Sequence, residues 1–191
     1  SLFNLLVENH HEHLRGVEQL LVGGEALSVP HIHRALELLP GTELINGYGP
    51  TENTTFTCCY RIERRHYAGS IPIGRPISNT EVLIVDKRGE LVAVGIAGEL
   101  VTGGAGLARG YLKNPALTAE KFIAHPYKPG ERLYRTGDLA RWLPDGNIEY
   151  LGRMDYQLKI RGYRIEAGEI EHALLRHPAI GSAVVVGHEA G

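Results

Sequence analysis

The first sixty residues alternate between helix-like and strand-like hydrophobic patterns. FNLLVENHHEHL at 3–14 indicates a short helix, and VEQLLVGG at 17–24 indicates a buried strand that ends in paired glycines. Ser28 can cap a second helix, whose apolar residues have helical spacing: Ile32, Ala35, Leu36 and Leu39. TELING at 42–47 and TFTCCYRI at 55–62 follow as strand candidates. Strand, helix and strand in this order predict a parallel βαβ unit.

Between residues 70 and 150 the pattern changes to short β runs separated by Gly, Asp and Asn turns. The runs are TEVLIVD at 80–86, GELVAVG at 89–95, GELVTGG at 98–104 and RLYRTGDLARWL at 132–143. Helical spacing is confined to one short piece, LTAEKFIA, near residue 120. This part is therefore predicted to be a small antiparallel sheet or barrel.

A third pattern follows GRMD at 152–155. LKIRGYRIEAGEIEHALL at 158–175 passes from strand to helix, and SAVVVGH at 182–188 indicates a further strand. We predict three parts: an α/β part at 1–65, a β-rich part at 66–154, and the beginning of a small α+β domain at 155–191. Because the chain begins with Ser1 and stops just after a strand signal, we expect it to be a piece of a longer protein.

The composition is that of a globular protein without a charge bias. The 191 residues are 43% hydrophobic and 22% charged, with a formal net charge of −2. This gives no electrostatic reason to expect nucleic acid or an anionic membrane as a partner. No apolar run reaches the ~18 residues of a membrane span, and the first residues lack the features of a signal peptide.

The cysteines and histidines indicate neither a disulfide framework nor a metal site. Cys58 and Cys59 are adjacent, a spacing at which a disulfide would be strained, so we expect reduced thiols and a cytoplasmic location. HHEH at 10–13 and HIH at 31–33 lack the H-E-x-x-H spacing of a zinc site. We expect both histidine clusters to lie on exposed, polar helix faces.

GYGPTE at 47–52 follows a predicted parallel strand, where α/β sheets bind their ligands. Gly47 and Gly49 permit close approach of the backbone to a ligand. The Thr51 hydroxyl can donate to a phosphate oxygen, and the Glu52 carboxylate suits Mg²⁺ that bridges protein and phosphate. The alternative is an ordinary turn with Glu52 on the surface.

Other candidate nucleotide motifs are weaker when each is taken alone. No G-x-x-x-x-G-K-[ST] occurs, and GGAGLARG at 103–110 misses the dinucleotide fingerprint by one residue, so a glycine-rich turn is the better interpretation. Asp138 in YRTGDL can accept hydrogen bonds from both hydroxyls of a ribose. Tyr150 and Arg153 follow in IEYLGRMD, but a polar surface explains each motif equally simply.

Four motifs, taken in order, carry a resemblance over essentially the whole chain: INGYGPTE, GELVTGGAGLARGYL, YRTGDLARWLPDGNIEYLGR and DYQLKIRGYRIEAGEIE. The chain resembles the adenylation domain of a nonribosomal peptide synthetase, in the adenylate-forming superfamily of acyl-CoA synthetases and firefly luciferase. The resemblance implies an α/β plus β fold: the C-terminal half of the large domain, with a parallel α/β part and a small β-barrel-like part, then the start of the small C-terminal domain. It also implies ATP-dependent activation of an amino acid and its transfer to the phosphopantetheine thiol of a carrier protein.

By the family pattern, ten residues would bind the nucleotide: Gly24, Glu25, Ala26, Asn46, Tyr48, Gly49, Thr51, Asp138, Tyr150 and Arg153. Asn46 would hydrogen-bond the edge of adenine, with Tyr48 and Tyr150 against the ring. Asp138, helped by Arg153, would bind the ribose hydroxyls. Among the catalytic residues, Thr51 would contact the α-phosphate of ATP and Glu52 would hold Mg²⁺.

The same resemblance implies the substrate pocket and a moving segment. The pocket would consist of Leu21, Gly23, Gly47, Thr55 and Phe56. This small, apolar set suits a branched aliphatic side chain and resembles the pocket of valine-activating domains. Asp155 would be the hinge of the small domain. Lys159, also counted as catalytic, would turn toward the active site for thioester formation with Arg161 and Gly162, which would line the pantetheine channel.

The implied partners are an amino acid, a peptidyl carrier protein domain and a condensation domain of the same synthetase. The family's phosphate loop, the aspartate that pairs the substrate ammonium, and a C-terminal lysine are not in the sequence, so we expect the 191 residues alone to form little adenylate. One alternative is an acyl- or aryl-acid CoA ligase of the same superfamily, which needs no ammonium partner. The other is a non-catalytic AMP-binding module.

Overall fold

The computed structural model describes residues 1–154, 158–160, 163–177 and 179–187, apart from the side chains of 158–160, 163 and 164. Within these ranges, none of the helices has the length and the apolar character needed to span a membrane.

The N-terminal part is a four-stranded sheet with helices packed on it. Its strands, in sheet order, are β1 (Gln19–Gly23), β2 (Glu43–Tyr48), β3 (Cys58–Arg61) and β4 (Arg75–Pro76). Its helices are α1 (Leu2–Asn9), a 3₁₀ helix at His11–Leu14, and α2 (Val29–Leu38). β1 and β2 run parallel with α2 between them, which confirms the predicted βαβ unit, and β3 and β4 join antiparallel.

The helix α2 packs its apolar face onto this sheet. Ile32 and Ala35 are fully buried, in one core cluster with Val7 of α1 and Leu44 of β2. The guanidinium of Arg64 donates to the carbonyl oxygens of Leu36 and Leu39 near the end of the helix. These bonds satisfy carbonyl groups that have no partner within the helix.

Two predictions, one for β1 and one for the start of α2, are wrong. β1 is not a buried strand, because it lies at the edge of the described sheet, where only Val22 is buried and Leu21 is 43% exposed. Ser28 occupies the N-cap position of α2, but its hydroxyl hydrogen-bonds to Nδ1 of His31 at 2.7 Å and caps no backbone N–H.

The two histidine clusters differ in exposure. In the first cluster His10 and His13 are exposed, as predicted, but His11 is half-buried. His10, Glu12 and His13 bring three possible ligand atoms within 4.8 Å of one another. In the second cluster the prediction of an exposed face is wrong. His31 and His33 are both half-buried. The His31 ring hydrogen-bonds to Ser28 and Glu8, and the His33 ring accepts a hydrogen bond from the Tyr67 N–H.

The second part is a five-stranded antiparallel sheet, as the β-rich pattern predicted. Its strands are β5 (Thr80–Val85), β6 (Gly98–Gly104), β7 (Phe122–Ala124), β8 (Arg132–Trp142) and β9 (Ile148–Arg153). Their order is β5-β6-β8-β7, with β9 also paired to β8. A helix, α3 (Pro115–Lys121), precedes β7.

GELVAVG at 89–95 is not a strand, although its apolar residues predicted one. Only Leu91 makes a single bridge, to Val85, and the segment otherwise forms turns in which Val94 is 61% exposed. The helical pattern near residue 120 also ends earlier than expected, because the chain enters β7 at Phe122.

The C-terminal part contains a β-hairpin and a helix. β10 (Leu158–Ile160) pairs antiparallel with β11 (Tyr163–Ile165), and α4 (Ala167–Leu175) follows. SAVVVGH was predicted as a strand, but its described residues, 182–187, form no strand. Val184 and Val186 are 81% and 74% exposed, with no neighbouring strand to pair with among the described residues. The division of the chain at residues 65 and 154 stays a prediction.

Backbone hydrogen bonds between residues 73–74 and Ile148 join the first sheet to the second, and this junction is called the seam below. It places the strand ends that form the site. The backbone N–H of Ile73 donates to the carbonyl of Ile148 at 2.8 Å, and the N–H of Ile148 donates to Gly74 at 2.7 Å. Gly74 has φ +86°, and a Cβ there would lie 1.9 Å from the Cys59 carbonyl oxygen. Around this seam one apolar cluster combines side chains of both sheets: Tyr48, Cys58, Ile73, Val82, Ile84, Leu100, Ala140 and Ile148.

Replacing Leu100 by Ala should lower the free energy of unfolding by about 2–5 kcal/mol. Leu100 is 0% exposed in the cluster that joins the sheets. The matched control is Leu112→Ala, at a position 90% exposed, which should change stability by less than about 0.5 kcal/mol. Urea unfolding of the 191-residue chain, followed by circular dichroism, measures both. Equal losses in the two variants would contradict the placement of Leu100.

Candidate active site

A cleft lies where β1 and β2 end and faces the middle of β8. It has a volume of about 690 Å³ and is lined by all five residues of the predicted substrate pocket: Leu21, Gly23, Gly47, Thr55 and Phe56. Gly24, Gly49, Thr51, Asp138 and Arg153 line the same cleft. A smaller adjoining cavity of about 60 Å³ is lined by Gly24, Glu25, Ala26, Asn46, Tyr48, Gly49 and Tyr150. The structure therefore brings together the residues predicted for nucleotide and substrate, but Glu52 lines neither of these two cavities.

Asp138 is a buried carboxylate that lines the cleft. It is 3% exposed, and one of its oxygens accepts a hydrogen bond from the Tyr48 hydroxyl. The other oxygen accepts from Nη1 of Arg153 at 2.9 Å. The same Nη1 donates to the carbonyl of Thr136 at 2.7 Å, and the Thr136 hydroxyl accepts from the Asp138 N–H at 2.9 Å.

The Tyr48 hydroxyl stays protonated in this network. Burial and then the charge of Asp138 raise the pKa of Tyr48 well above its usual range. It can therefore act only as a donor toward the carboxylate at neutral pH. A carboxylate can accept about four hydrogen bonds, so Asp138 retains capacity for a ligand's hydroxyl groups beside its two protein donors.

The smaller cavity combines two aromatic rings with one amide. The Tyr48 and Tyr150 rings lie 6.2 Å apart between centroids, at an angle of 40°. Asn46 is 4% exposed, and its Nδ2 donates to the carbonyl of Pro72 at 2.8 Å. This bond orients the amide so that its Oδ1 is left as the acceptor.

The turn after β2 has an unusual backbone. Thr54 and Thr55 have φ of 51° and 67°, which is uncommon for β-branched residues and costs of order 1–3 kcal/mol each. The Thr54 hydroxyl donates to the Gly106 carbonyl at 2.6 Å, and the Thr57 N–H donates to Tyr48 at 2.7 Å. These contacts hold the turn in the conformation that places Thr51 and Thr55 on the cleft.

Glu52, the predicted Mg²⁺ ligand, is buried rather than on the surface, with 7% exposure. Its Oε1 accepts a hydrogen bond from the Tyr111 hydroxyl at 2.6 Å, and its backbone carbonyl accepts from the Ala108 N–H at 2.8 Å. The surface-turn alternative for this residue is therefore wrong.

The glycines of GYGPTE are required by contacts within the protein. A Cβ at Gly47 would lie 2.6 Å from the Phe56 ring and 2.8 Å from Leu21. At Gly49 it would lie 2.6 Å from the backbone of Thr55. Gly47 and Gly49 were predicted to make room for a ligand, but these neighbours already fill the space beside them.

Four other predicted residues cannot be placed in the cleft. Asp155, Arg161 and Gly162 lie outside the described residues, and Lys159 is described only as backbone in β10. Their predicted roles as hinge, channel and catalytic residues stay predictions.

Sequence reasoning missed three residues that build the site. Asn53 is 1% exposed, and its Nδ2 donates to the hydroxyls of Thr57 and Thr102, both at 3.0 Å. Tyr134 lines the cleft, and its hydroxyl lies 3.3 Å from that of Tyr111. Asn53 directly follows GYGPTE, Tyr111 lies in GELVTGGAGLARGYL and Tyr134 lies in YRTGDLARWLPDGNIEYLGR. Their positions in or beside these motifs are the sequence feature that could have identified them as site residues.

The chain belongs to the AMP-binding enzyme family, whose profile matches residues 1–112. It is 59% identical over 192 residues to one component of the linear gramicidin synthase of Brevibacillus parabrevis, covering 99% of this chain and 2% of that protein. It is 55% identical over 185 residues to gramicidin S synthase 2 of Brevibacillus brevis, covering 97% and 4%.

Solved structures of nonribosomal peptide synthetase proteins have the same fold. A holo protein with adenylation and PCP domains, bound to a vinylsulfonamide inhibitor, superposes with a TM-score of 0.89 at 46% identity, over 95% of this chain and 32% of that one. An artificially fused adenylation–PCP di-domain from Klebsiella oxytoca gives 0.86 at 34% identity, over 100% and 36%. These likenesses confirm the resemblance to an adenylation domain and the α/β plus β fold class. The chain spans only a small part of the curated relatives and about a third of these structures.

The thiol of Cys58, which lies opposite Tyr48 on β3, should be inert in the native protein. Burial raises its pKa to about 12, so only about one part in ten thousand is thiolate at pH 8, and the thiolate is the reactive form. In a Cys59→Ser variant, Ellman's reagent should react at least about a hundredfold more slowly with native than with urea-unfolded chain.

The matched control is Cys58→Ser, which leaves the half-buried Cys59 and should react faster in the native state. Similar rates for native and unfolded Cys59→Ser would show that Cys58 is accessible.

Proposed function

We propose that the protein containing this chain activates an amino acid with ATP. A carboxylate oxygen of the amino acid attacks the α-phosphorus, the bond from that phosphorus to the bridging oxygen breaks, and pyrophosphate leaves. The aminoacyl-adenylate then loses AMP when the phosphopantetheine thiol of a carrier domain attacks its acyl carbon. Such catalysis consists of positioning and charge stabilisation, without a covalent enzyme intermediate.

The buried Asp138 network is the observation that best supports this function. A carboxylate that is fixed by Tyr48 and Arg153 at the wall of the cleft is suited to accept hydrogen bonds from both ribose hydroxyls. Because its two protein donors are already in place, the carboxylate needs no reorganisation when the nucleotide binds. The 59% identity to a component of a gramicidin synthase supports the same assignment.

The smaller cavity suits adenine. It is lined by Tyr48 and Tyr150 and by the loop from Gly24 to Ala26. The Oδ1 of Asn46 would accept a hydrogen bond from the exocyclic amino group, because its Nδ2 is already bonded to Pro72. Stacking on aromatic rings typically contributes about 1–3 kcal/mol per base.

Thr51 and Glu52 would act on the phosphate groups. The Thr51 hydroxyl lies at the cleft and would donate to an α-phosphate oxygen. The oxygen donors of these two residues fit Mg²⁺, which prefers hard oxygen ligands and needs only one or two carboxylates besides phosphate. When bound, Mg²⁺ would neutralise charge on the triphosphate.

The amino-acid pocket suits valine. Its wall is made by the side chains of Leu21, Thr55 and Phe56, together with the backbone of Gly23 and Gly47. None of these five residues carries a charge or a strongly polar group that would favour an ionic substrate side chain. Because one methylene is worth only ~1–3 kcal/mol of discrimination, isoleucine and leucine would be secondary substrates.

The remaining assignments concern the whole protein. A peptidyl carrier domain would deliver phosphopantetheine past Arg161 and Gly162, after rotation of the small domain about Asp155 brings Lys159 to the site. A condensation domain of the same synthetase would receive the product. The unpaired thiols of Cys58 and Cys59 support a cytoplasmic location. We expect the 191 residues alone to form little adenylate.

Pyrophosphate exchange with a panel of amino acids tests the function in a complete adenylation domain that carries this chain. Exchange should peak at valine, and Asp138→Ala should reduce it by at least about a hundredfold, because one buried charged acceptor and its network are lost. The matched control is Asp145→Ala in the turn between β8 and β9, where the exposed carboxylate accepts from the backbone N–H of nearby Asn147. This variant should keep exchange within about twofold.

Other outcomes would redirect the assignment. A peak at another amino acid would keep the reaction and refute the pocket argument. Turnover of a carboxylic acid with CoA, without amino-acid exchange, would favour the acyl-CoA ligase. Tight AMP binding without any turnover would favour the non-catalytic module.

A further inference from the structure

Tyr111 lies on the segment that follows β6 and contacts Glu52, the predicted metal ligand. Glu52 belongs to the motif GYGPTE, and Tyr111 lies outside that motif. Its hydroxyl donates to Oε1 of Glu52 at 2.6 Å. This length is typical of a hydrogen bond from a hydroxyl to an ionised carboxylate, about twice as strong as a neutral bond.

The tyrosine is itself held in place. Its ring packs edge-on against Phe122, with centroids 5.6 Å apart, and its backbone N–H donates to the Thr118 hydroxyl at 2.9 Å. Its hydroxyl also lies 3.3 Å from that of Tyr134, which lines the cleft. A side chain fixed in this way can orient the group to which it donates.

The bond from Tyr111 to Glu52 is not needed to attach the two segments to each other. The Ala108 N–H already donates to the Glu52 carbonyl at 2.8 Å, and the Thr54 hydroxyl donates to Gly106 at 2.6 Å. Those two bonds, one between backbones and one from the Thr54 side chain, join the segments. The Tyr111 hydroxyl fixes the orientation of the Glu52 carboxylate, which those two bonds do not determine.

We propose that Tyr111 is a positioning residue that orients the Glu52 carboxylate for Mg²⁺ bound with ATP. The inference rests on the proposed function and names a residue that acts on the metal ligand without touching the metal. Groups that hydrogen-bond a metal ligand typically contribute 10–100-fold to metal affinity or activity.

Tyr111→Phe tests this in the complete adenylation domain, because it removes one hydroxyl and keeps the ring against Phe122. The Mg²⁺ concentration for half-maximal pyrophosphate exchange should rise about tenfold, with the rate restored at high Mg²⁺. The second readout is the dissociation constant of ATP, measured by calorimetry with Mg²⁺ and again with EDTA. The variant should weaken ATP binding with Mg²⁺ and leave it unchanged with EDTA.

The matched control is Tyr127→Phe, at a tyrosine 53% exposed, which should shift neither readout by more than about twofold. Equal weakening of ATP binding with and without Mg²⁺ would show a merely structural role and overturn the inference. So would a shift of less than about twofold in Tyr111→Phe, or wild-type ATP affinity that does not respond to Mg²⁺. Failure of the wild type to exchange with any amino acid would refute the proposed function, while the calorimetric comparison would still decide the role of Tyr111.

Discussion

The hydrogen bond from the Tyr48 hydroxyl to Asp138 is the interaction on which the site depends. Tyr48 ends β2 in the first sheet and Asp138 lies within β8 of the second, so the bond crosses the seam between them. A hydrogen bond to a charged group contributes about 1.5–3 kcal/mol, and loss of one donor leaves a buried carboxylate less satisfied. Arg153, on β9, pairs with the same carboxylate. The cleft therefore exists only when both sheets are packed together.

A second set of contacts fixes the turn that carries Thr51 and Glu52. Thr54 and Thr55 adopt left-handed conformations that β-branched residues rarely take, and neighbours from the second sheet hold them there. The Gly106 carbonyl accepts from the Thr54 hydroxyl, and the Ala108 N–H donates to the Glu52 carbonyl. The Thr102 hydroxyl accepts from the Asn53 amide. The strained turn and the Asp138 network thus have the same cause: groups on one sheet are positioned by partners on the other.

The sequence was sufficient for the fold class and for most of the cleft, because strand and glycine patterns and the order of four motifs are local signals. It failed where the outcome depends on neighbours. Residues 182–187 have strand composition but no partner strand in the described part, and GELVAVG makes only one bridge, from Leu91 to Val85 of β5. The Tyr67 N–H donates to the ring of the half-buried His33. The contact between Tyr111 and Glu52 joins residues 59 positions apart in the chain, which no local pattern encodes.

A double-mutant cycle between Tyr48→Phe and Asp138→Asn, with the dissociation constant of ATP as the readout, tests the central claim most directly. The two groups touch, so their effects should be strongly non-additive, with a coupling energy of about 0.5–3 kcal/mol. Each substitution should cost less in the background of the other than in the wild type, because the bond between the two groups is then already lost. Effects that add to within about 0.5 kcal/mol, as for independent sites, would show that the bond between the two sheets does not organise the nucleotide site.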